Sequence, residues 1–263
     1  MSSRSAFLSR LSALEQRVLP QPVPVVPAAV ELMARVIGPP DDWQAQVLRE
    51  PAPRALWLCC RQSGKSTTTA VLALHQALTQ PGSLILLLSL SLQQSQELFK
   101  KVLDAYRKLG NPAPLQAESA LRYEMNNGSR IIALPGTEPN IRGYSSVDLL
   151  VIDEAARVQD ELYFATRPML AVSGGRLVCL STPFGRRGWF HQTWEQGEGW
   201  SRLKVDAYAC PRISPQFLAE EQRTLPDLWF RSEYLVEFVD VDSQLFGYDL
   251  VHAALSAEIA PLF

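Results

Sequence analysis

Residues 56–74, LWLCCRQSGKSTTTAVLAL, pass from an unbroken apolar stretch through a short polar loop into a helix-forming segment. A strand that stops at Gly64-Lys65-Ser66 and turns directly into a helix has the layout of a phosphate-binding loop. Backbone N–H groups at the start of such a helix hold phosphate oxygens, here those of Gln62, Ser63, Gly64, Lys65, Ser66 and Thr67. Gly64 lets the backbone approach the ligand closely. Lys65 places its charge on the β- and γ-phosphates, and Ser66 offers a hydroxyl to Mg²⁺. The strict pattern G-x-x-x-x-G-K-[ST] asks for glycine at position 59, where this chain has Cys59.

Downstream, LLVIDEAA (149–156) is a second apolar strand, ending in Asp153-Glu154. In a nucleotide site Asp153 holds Mg²⁺ and Glu154 orients and polarises the attacking water. Taken alone, two acids at a helix start are merely favourable to the helix dipole. After a phosphate loop, they complete an ATP and Mg²⁺ site.

Between and beyond these landmarks strands and helices alternate. Apolar strands are expected at ALWLCC, SLILLLS, VDLLVIDEAA, GRLVCLSTP and WSRLKVDAYA, and a hairpin around Asn127-Gly128. Helices are expected after Gly64, over SLQQSQELFKKVLDAYRKLG, at GWFHQTWEQG and, interrupted by Pro226, over 214–238. The alternation predicts a mostly parallel sheet covered by helices on both faces. A short helix at AAVELMARVIG follows the proline-rich connector PQPVPVVP, and an amphipathic helix is expected from Phe7, Leu8, Leu11, Leu14 and Val18. The expected division is an N-terminal arm (1–40), a core (41–212) and a C-terminal helical linker (213–263).

The chain has 263 residues, 47% hydrophobic and 20% charged, with net charge -2. A nucleic-acid partner must therefore be held by a local patch. The longest apolar run, Leu84 to Leu88, is far short of the roughly 20 residues of a membrane helix, so no membrane partner is expected. Cys59, Cys60, Cys179 and Cys210 form no C-x-x-C and are expected to be reduced and mostly buried. Trp189, Trp194, Trp200 and Trp229 are expected in the core or at a domain contact, and His191 in a structural or exposed place.

The loop CRQSGKST, with Arg61 and Gln62 where many ATPases have small residues, resembles the ATPase domain of the large terminase subunit of tailed bacteriophages. In that family the loop departs from the strict pattern in the same way. DDWQAQVL (41–48) resembles its adenine-recognition motif, IRGYSSVDLLVIDEAA (141–156) its Arg-Gly segment leading to Walker B, and LSTP (180–183) its coupling motif. The resemblance runs from about Asp41 to the end, and EFVDVDSQLFGYDLV looks like the passage toward the family's nuclease domain. It implies a RecA-like P-loop fold of the ASCE group and an ATP-driven motor moving double-stranded DNA into a procapsid. Gln44 would read the base, with Trp43 packed beside it. Arg142 would act as an arginine finger toward a neighbouring subunit, with Arg61 the rival acting in its own. Ser181, Thr182 and Pro183 would couple hydrolysis to movement.

The implied partners are the portal protein, the small terminase subunit and further copies in a ring, with a monomer in isolation. The implied location is the cytoplasm of the infected bacterium. Nuclease activity is not expected from these residues, and Asp240, Asp242 and Asp249 read as solvated acids. The rival class is a helicase-like or DNA-repair P-loop ATPase, which should carry a second nucleotide-facing domain. A non-hydrolysing scaffold has no need of Glu154.

Overall fold

The structure, a computed structural model, describes residues 26–112, 115–136, 141 and 143–239. The expected helix over Phe7 to Val18, Arg142, and the acids Asp240, Asp242 and Asp249 lie outside the described residues.

Two helices precede the sheet, α1 (Ala29–Val36) and α2 (Asp42–Arg49). Then follow β1 (Arg54–Cys59), α3 (Lys65–Thr79), β2 (Leu84–Ser89) and α4 (Leu92–Lys108). Next come β3 (Leu115–Glu118), β4 (Arg122–Met125), β5 (Arg130–Pro135) and β6 (Leu149–Asp153). The second half holds α5 (Asp160–Thr166), β7 (Arg176–Ser181), α6 (Gly188–Gln196) and β8 (Ser201–Val205), then α7 (Pro215–Thr224) and α8 (Asp227–Glu233).

All eight strands join one sheet in the order β3-β4-β5-β2-β6-β7-β1-β8. Pairing is parallel from β5 to β8. The central strands β2 and β6 are buried along their whole length, so they are apolar without alternation. β1 and β2 succeed each other in sequence yet are separated in the sheet by β7 and β6. That arrangement brings the loops after β1 and β6 together at the carboxyl edge, where open α/β sheets bind ligands.

The hairpin forms as expected. Gly128 has φ 83, and Asn127 holds the turn by accepting from Ser129 N–H at 3.0 Å. Its side-chain amide also donates to Ala77 O at 2.8 Å, tying the turn to α3. β3, an edge strand antiparallel to β4, was not anticipated, because LQAE is only four residues long and has no β-branched or aromatic side chain.

α1 belongs to the body of the fold and not to a separate arm. Leu32, Met33 and Val36 are buried in the same core as α3 and the sheet. Their spacing on one face needed a cover, and α3 supplies it. Trp189 is fully inside, stacked on Tyr163 with ring centroids 3.8 Å apart, and His191 is buried at an edge-on contact with Phe238. Trp194 and Trp200 pack against the core from partly buried positions, whereas Trp229 is 59% exposed on α8.

All four cysteines are buried and free. Burial pushes the Cys59 thiol up to about 12 and raises Cys179 as well. A disulfide-exchange reagent should therefore label none of the four in the native chain at neutral pH, and all four after denaturation. Rapid stoichiometric labelling of the native chain would contradict this burial.

Candidate nucleotide site at the carboxyl edge of the sheet

The phosphate loop begins where β1 ends. Cys59 is the last residue of that strand, paired with Val205 and completely buried. A residue still paired inside a strand needs no special backbone freedom, so the loop closes without the glycine of the strict pattern. From Cys60 the chain turns sharply, with Gln62 at φ 62 and Gly64 at φ 91. Left-handed residues set among right-handed ones bend the backbone into a concave row of N–H groups, an anion cradle at the start of α3.

Carbonyls of the loop are held by hydroxyls. Ser63 Oγ donates to Cys60 O at 2.9 Å, and Thr68 Oγ1 donates to Gly64 O at 3.1 Å. Gln44 lies against this turn, its Nε2 donating to Thr68 Oγ1 at 3.0 Å and its Oε1 accepting from Asp41 N–H at 2.9 Å. The second bond is half of a capping box that starts α2. These bonds use one N–H and one oxygen lone pair of the Gln44 amide.

A methyl group on Gly64 would lie 2.7 Å from Gln44 Nε2, an atom fixed by its bond to Thr68. Gly64→Ala should therefore weaken nucleotide binding by about 10-fold or more, since a left-handed non-glycine residue alone costs roughly 1–3 kcal/mol. Titration with a fluorescent nucleotide checks this, and unchanged affinity would show that the close approach is unimportant.

Charge gathers at the other wall. β6 delivers Asp153, and Glu154 follows at φ 52, a left-handed turn that swings it out of the strand direction. Lys65 Nζ lies 3.2 Å from Glu154 Oε1. Ser66 Oγ donates to Asp153 Oδ2 at 3.3 Å, and Asp153 Oδ1 accepts from Glu154 N–H at 2.9 Å. Burial holds the Asp153 carboxyl above its usual range, although Lys65 pulls the other way. Burial alone would lower Lys65, but Glu154 and Asp153 outweigh it and raise the ammonium above its ordinary value. A hydroxyl and a carboxylate side by side are hard oxygen donors that suit Mg²⁺, and a divalent cation would relieve the buried Asp153 charge.

Lys65, Ser66 and Glu154 border a cavity of about 860 Å³ that also takes in Thr67, while Asp153 touches Ser66 without lining it. Its apolar end is formed by Met33, Ile37, Gly38 and Pro39, its polar end by the loop, Glu154 and Arg157. Arg61 borders the cavity, but its Nε donates to Glu233 Oε2 on α8 at 2.6 Å. Arg157 stands 4.0 Å from Glu154 Oε2 and covers the Phe184 ring at 4.1 Å. Ser181 closes β7 with its hydroxyl buried and without a hydrogen-bond partner, and Thr182 beside it is buried too. Neither is among the residues that line the cavity.

Sequence reasoning missed Arg212, Glu233 and Arg157. Arg212 donates to Asp41 Oδ1 at 2.6 Å and to Ser63 O at 2.7 Å. No sequence signal marks it, because its partners lie 171 and 149 residues away. The Asp41–Gln44 capping box has a recognisable spacing but was missed as well.

Comparison with known proteins agrees with this layout. A family model described as "Terminase large subunit, T4likevirus-type, N-terminal" matches residues 57–251, well over half of the chain. The large terminase subunit of Thermus phage G20c is 25% identical over 251 residues, covering 81% of this chain and 51% of that protein. The chain thus spans about half the length of the relatives it matches. Among solved structures, the ATPase domain of the Thermus phage P74-26 large terminase superposes with a TM-score of 0.72 at 21% identity. That match covers 81% of this chain and all of the other. The large terminase of a further thermophilic bacteriophage, solved in complex with ADP, gives a TM-score of 0.64 at 13% identity, over 76% of this chain and 54% of that one. The sheet order described above is thus the fold of terminase ATPase domains. With phosphate loop, Asp153-Glu154 and most of the sheet inside the matched span, the chain belongs to the large terminase subunit family, T4likevirus type, of which it carries the N-terminal part.

Proposed function

We propose that this chain binds ATP with Mg²⁺, hydrolyses it, and drives double-stranded DNA into a procapsid. The observation that carries the reading is the meeting of Lys65 with Glu154 at the cavity wall and of the neighbouring Ser66 with the buried Asp153. A phosphate-binding charge, a metal-binding pair and a carboxylate able to polarise water are the parts phosphoryl transfer to water requires. The ADP-bound terminase of the same fold has also been solved with ATP-gamma-S. Family membership favours this reading over a helicase or repair ATPase.

In the reaction, Gly64, Lys65, Ser66 and Thr67 hold the phosphates, with Gln62 and Ser63 shaping the turn. The base rests at the Met33–Pro39 end, with Gln44 beneath. Ser66 and Asp153 would hold Mg²⁺, which would supply positive charge to offset that of the phosphates. Glu154 leaves Lys65 once phosphate arrives and turns to the attacking water. Ser181, Thr182 and Pro183 carry the change toward the rest of the motor. Partners are the DNA, the portal, the small subunit and further copies in a ring, in the infected cell.

The test is phosphate release from Mg-ATP by the purified chain, then packaging of DNA into procapsids by the full-length protein carrying these residues. Absence of Mg²⁺-dependent hydrolysis in both settings would end the reading.

Arg142 is proposed to act across the ring, and Arg61 is its rival. Arg142→Ala subunits lack the donated charge, and Lys65→Ala subunits lack the receiving site. Mixed rings should recover part of the ATPase activity, given that such fingers contribute roughly 10³–10⁵ in rate. No recovery in rings shown to co-assemble would move the role to Arg61.

A further inference from the structure

Arg212 lies on the turn between β8 and α7, far in sequence from every motif, yet it contacts the phosphate loop directly. One Nη donates to the Ser63 carbonyl at 2.7 Å and the other to Asp41 Oδ1 at 2.6 Å. Its Nη2 stands 3.4 Å from the point where a Gly64 side chain would begin. We propose that Arg212 is a positioning residue of the phosphate loop. It fixes the Ser63–Gly64 peptide so that the Gly64 N–H faces the nucleotide's β-phosphate, an inference that rests on the nucleotide reading above.

The geometry follows from the planarity of the peptide. In a trans peptide the C=O and the following N–H point in opposite directions. With Ser63 O drawn toward Arg212, the Gly64 N–H points away from it, into the concave side of the loop. The opposite orientation would aim a carbonyl at the phosphate, where like partial charges repel. Gly64 has φ 91, and glycine permits the peptide on either side to flip, so something outside the loop has to choose. A charge-assisted bond to the carbonyl is a strong means of choosing.

Asp41 fixes Arg212 in turn. Its carboxylate is bonded to Arg212 while its own N–H is bonded to Gln44, and Gln44 reaches Thr68, whose hydroxyl donates to Gly64 O. Two successive carbonyls of the loop, Ser63 O and Gly64 O, are therefore held from the same anchor at the start of α2. Arg212 is half-exposed, so its removal leaves no cavity in the core. The loop would keep its charge on Lys65 and lose its fixed orientation.

The experiment compares fluorescent MANT-ADP with MANT-AMP, which lacks the β-phosphate. The wild-type chain should bind MANT-ADP more tightly. Arg212→Ala should weaken MANT-ADP by about 10-fold or more while leaving MANT-AMP within about 2-fold, so the ratio of the two affinities collapses. Arg212→Lys, a point charge unable to span both oxygens, should fall between. Asp41→Asn should shift the ratio in the same direction. Equal weakening of both ligands, or an unchanged ratio in a variant that melts like the wild type, overturns the inference and leaves the nucleotide reading standing. A wild-type chain with no preference for MANT-ADP overturns the nucleotide reading itself. If Arg212→Ala does not fold, the other two variants carry the same comparison.

Discussion

Replacing Lys65 by alanine should lower Mg-ATP turnover at least about 100-fold and leave a folded chain. The loss follows from what the ammonium does. It is the cation within 3.2 Å of Glu154, and on the proposed reading it would lie against charge that grows on the phosphates as the bond breaks. Removing one preorganised group that stabilises such charge costs roughly 10²–10³ in rate. The fold should survive for separate reasons. Lys65 opens α3, where alanine is the best helix former. Its loss leaves Glu154 partly in water, and Asp153, already held above its usual range by burial, can take up a proton. Phosphate release and a thermal melt decide both halves. Wild-type turnover in a folded variant would remove the phosphate-loop assignment.

Glu154→Gln should still bind ATP with Mg²⁺ and hydrolyse it at least about 100-fold more slowly, the scale of a lost general base. Glutamine keeps the shape of the side chain and an oxygen for Lys65, but it cannot take a proton from water. Asp153→Asn should behave differently. Asp153 is buried, with one carboxylate oxygen on Ser66 and the other on the Glu154 N–H, so on the proposed reading it would serve the metal and not the water. Its replacement should weaken Mg²⁺-dependent binding first. Calorimetric titration with and without Mg²⁺ separates the two variants. Matching binding defects would contradict the division of roles.

The exposed side of Arg61 has a bearing on both variants. Its guanidinium is held by Glu233, a mostly buried carboxylate, and that bond raises the arginine above its ordinary value. An arginine that moved to the phosphates would leave Glu233 without this partner. A buried carboxylate left so is costly, and α8 would have to shift with it.

Much of the site was legible because it is local. GKS following an apolar strand, Asp-Glu ending another, and Asn-Gly between two alternating runs each depend on residues a few positions apart. The phosphate loop turns where Gly64 permits it, α3 starts where the loop ends, and the hairpin turns at Gly128 for the same reason. Even the place of Cys59 is local, since a residue still inside a strand needs no special backbone freedom. β3 was not legible, because four residues without a β-branched or aromatic side chain become a strand only when β4 offers an edge. Nor was the membership of α1 in the core, which exists only once α3 covers its apolar face.

By itself, then, the sequence determined the alternating elements, the phosphate loop and its acidic counterpart, since these follow from short-range sterics, hydrogen bonding and periodicity. The tertiary structure alone decided which side chains steady that loop. Arg212 meets Ser63 across 149 residues, and Glu233 meets Arg61 across 172. Such pairs carry no periodicity and no spacing. They arise because β8 runs alongside β1 in the sheet and brings the chain back to the mouth of the loop, first at the turn that carries Arg212 and again, after α7, at the Glu233 end of α8.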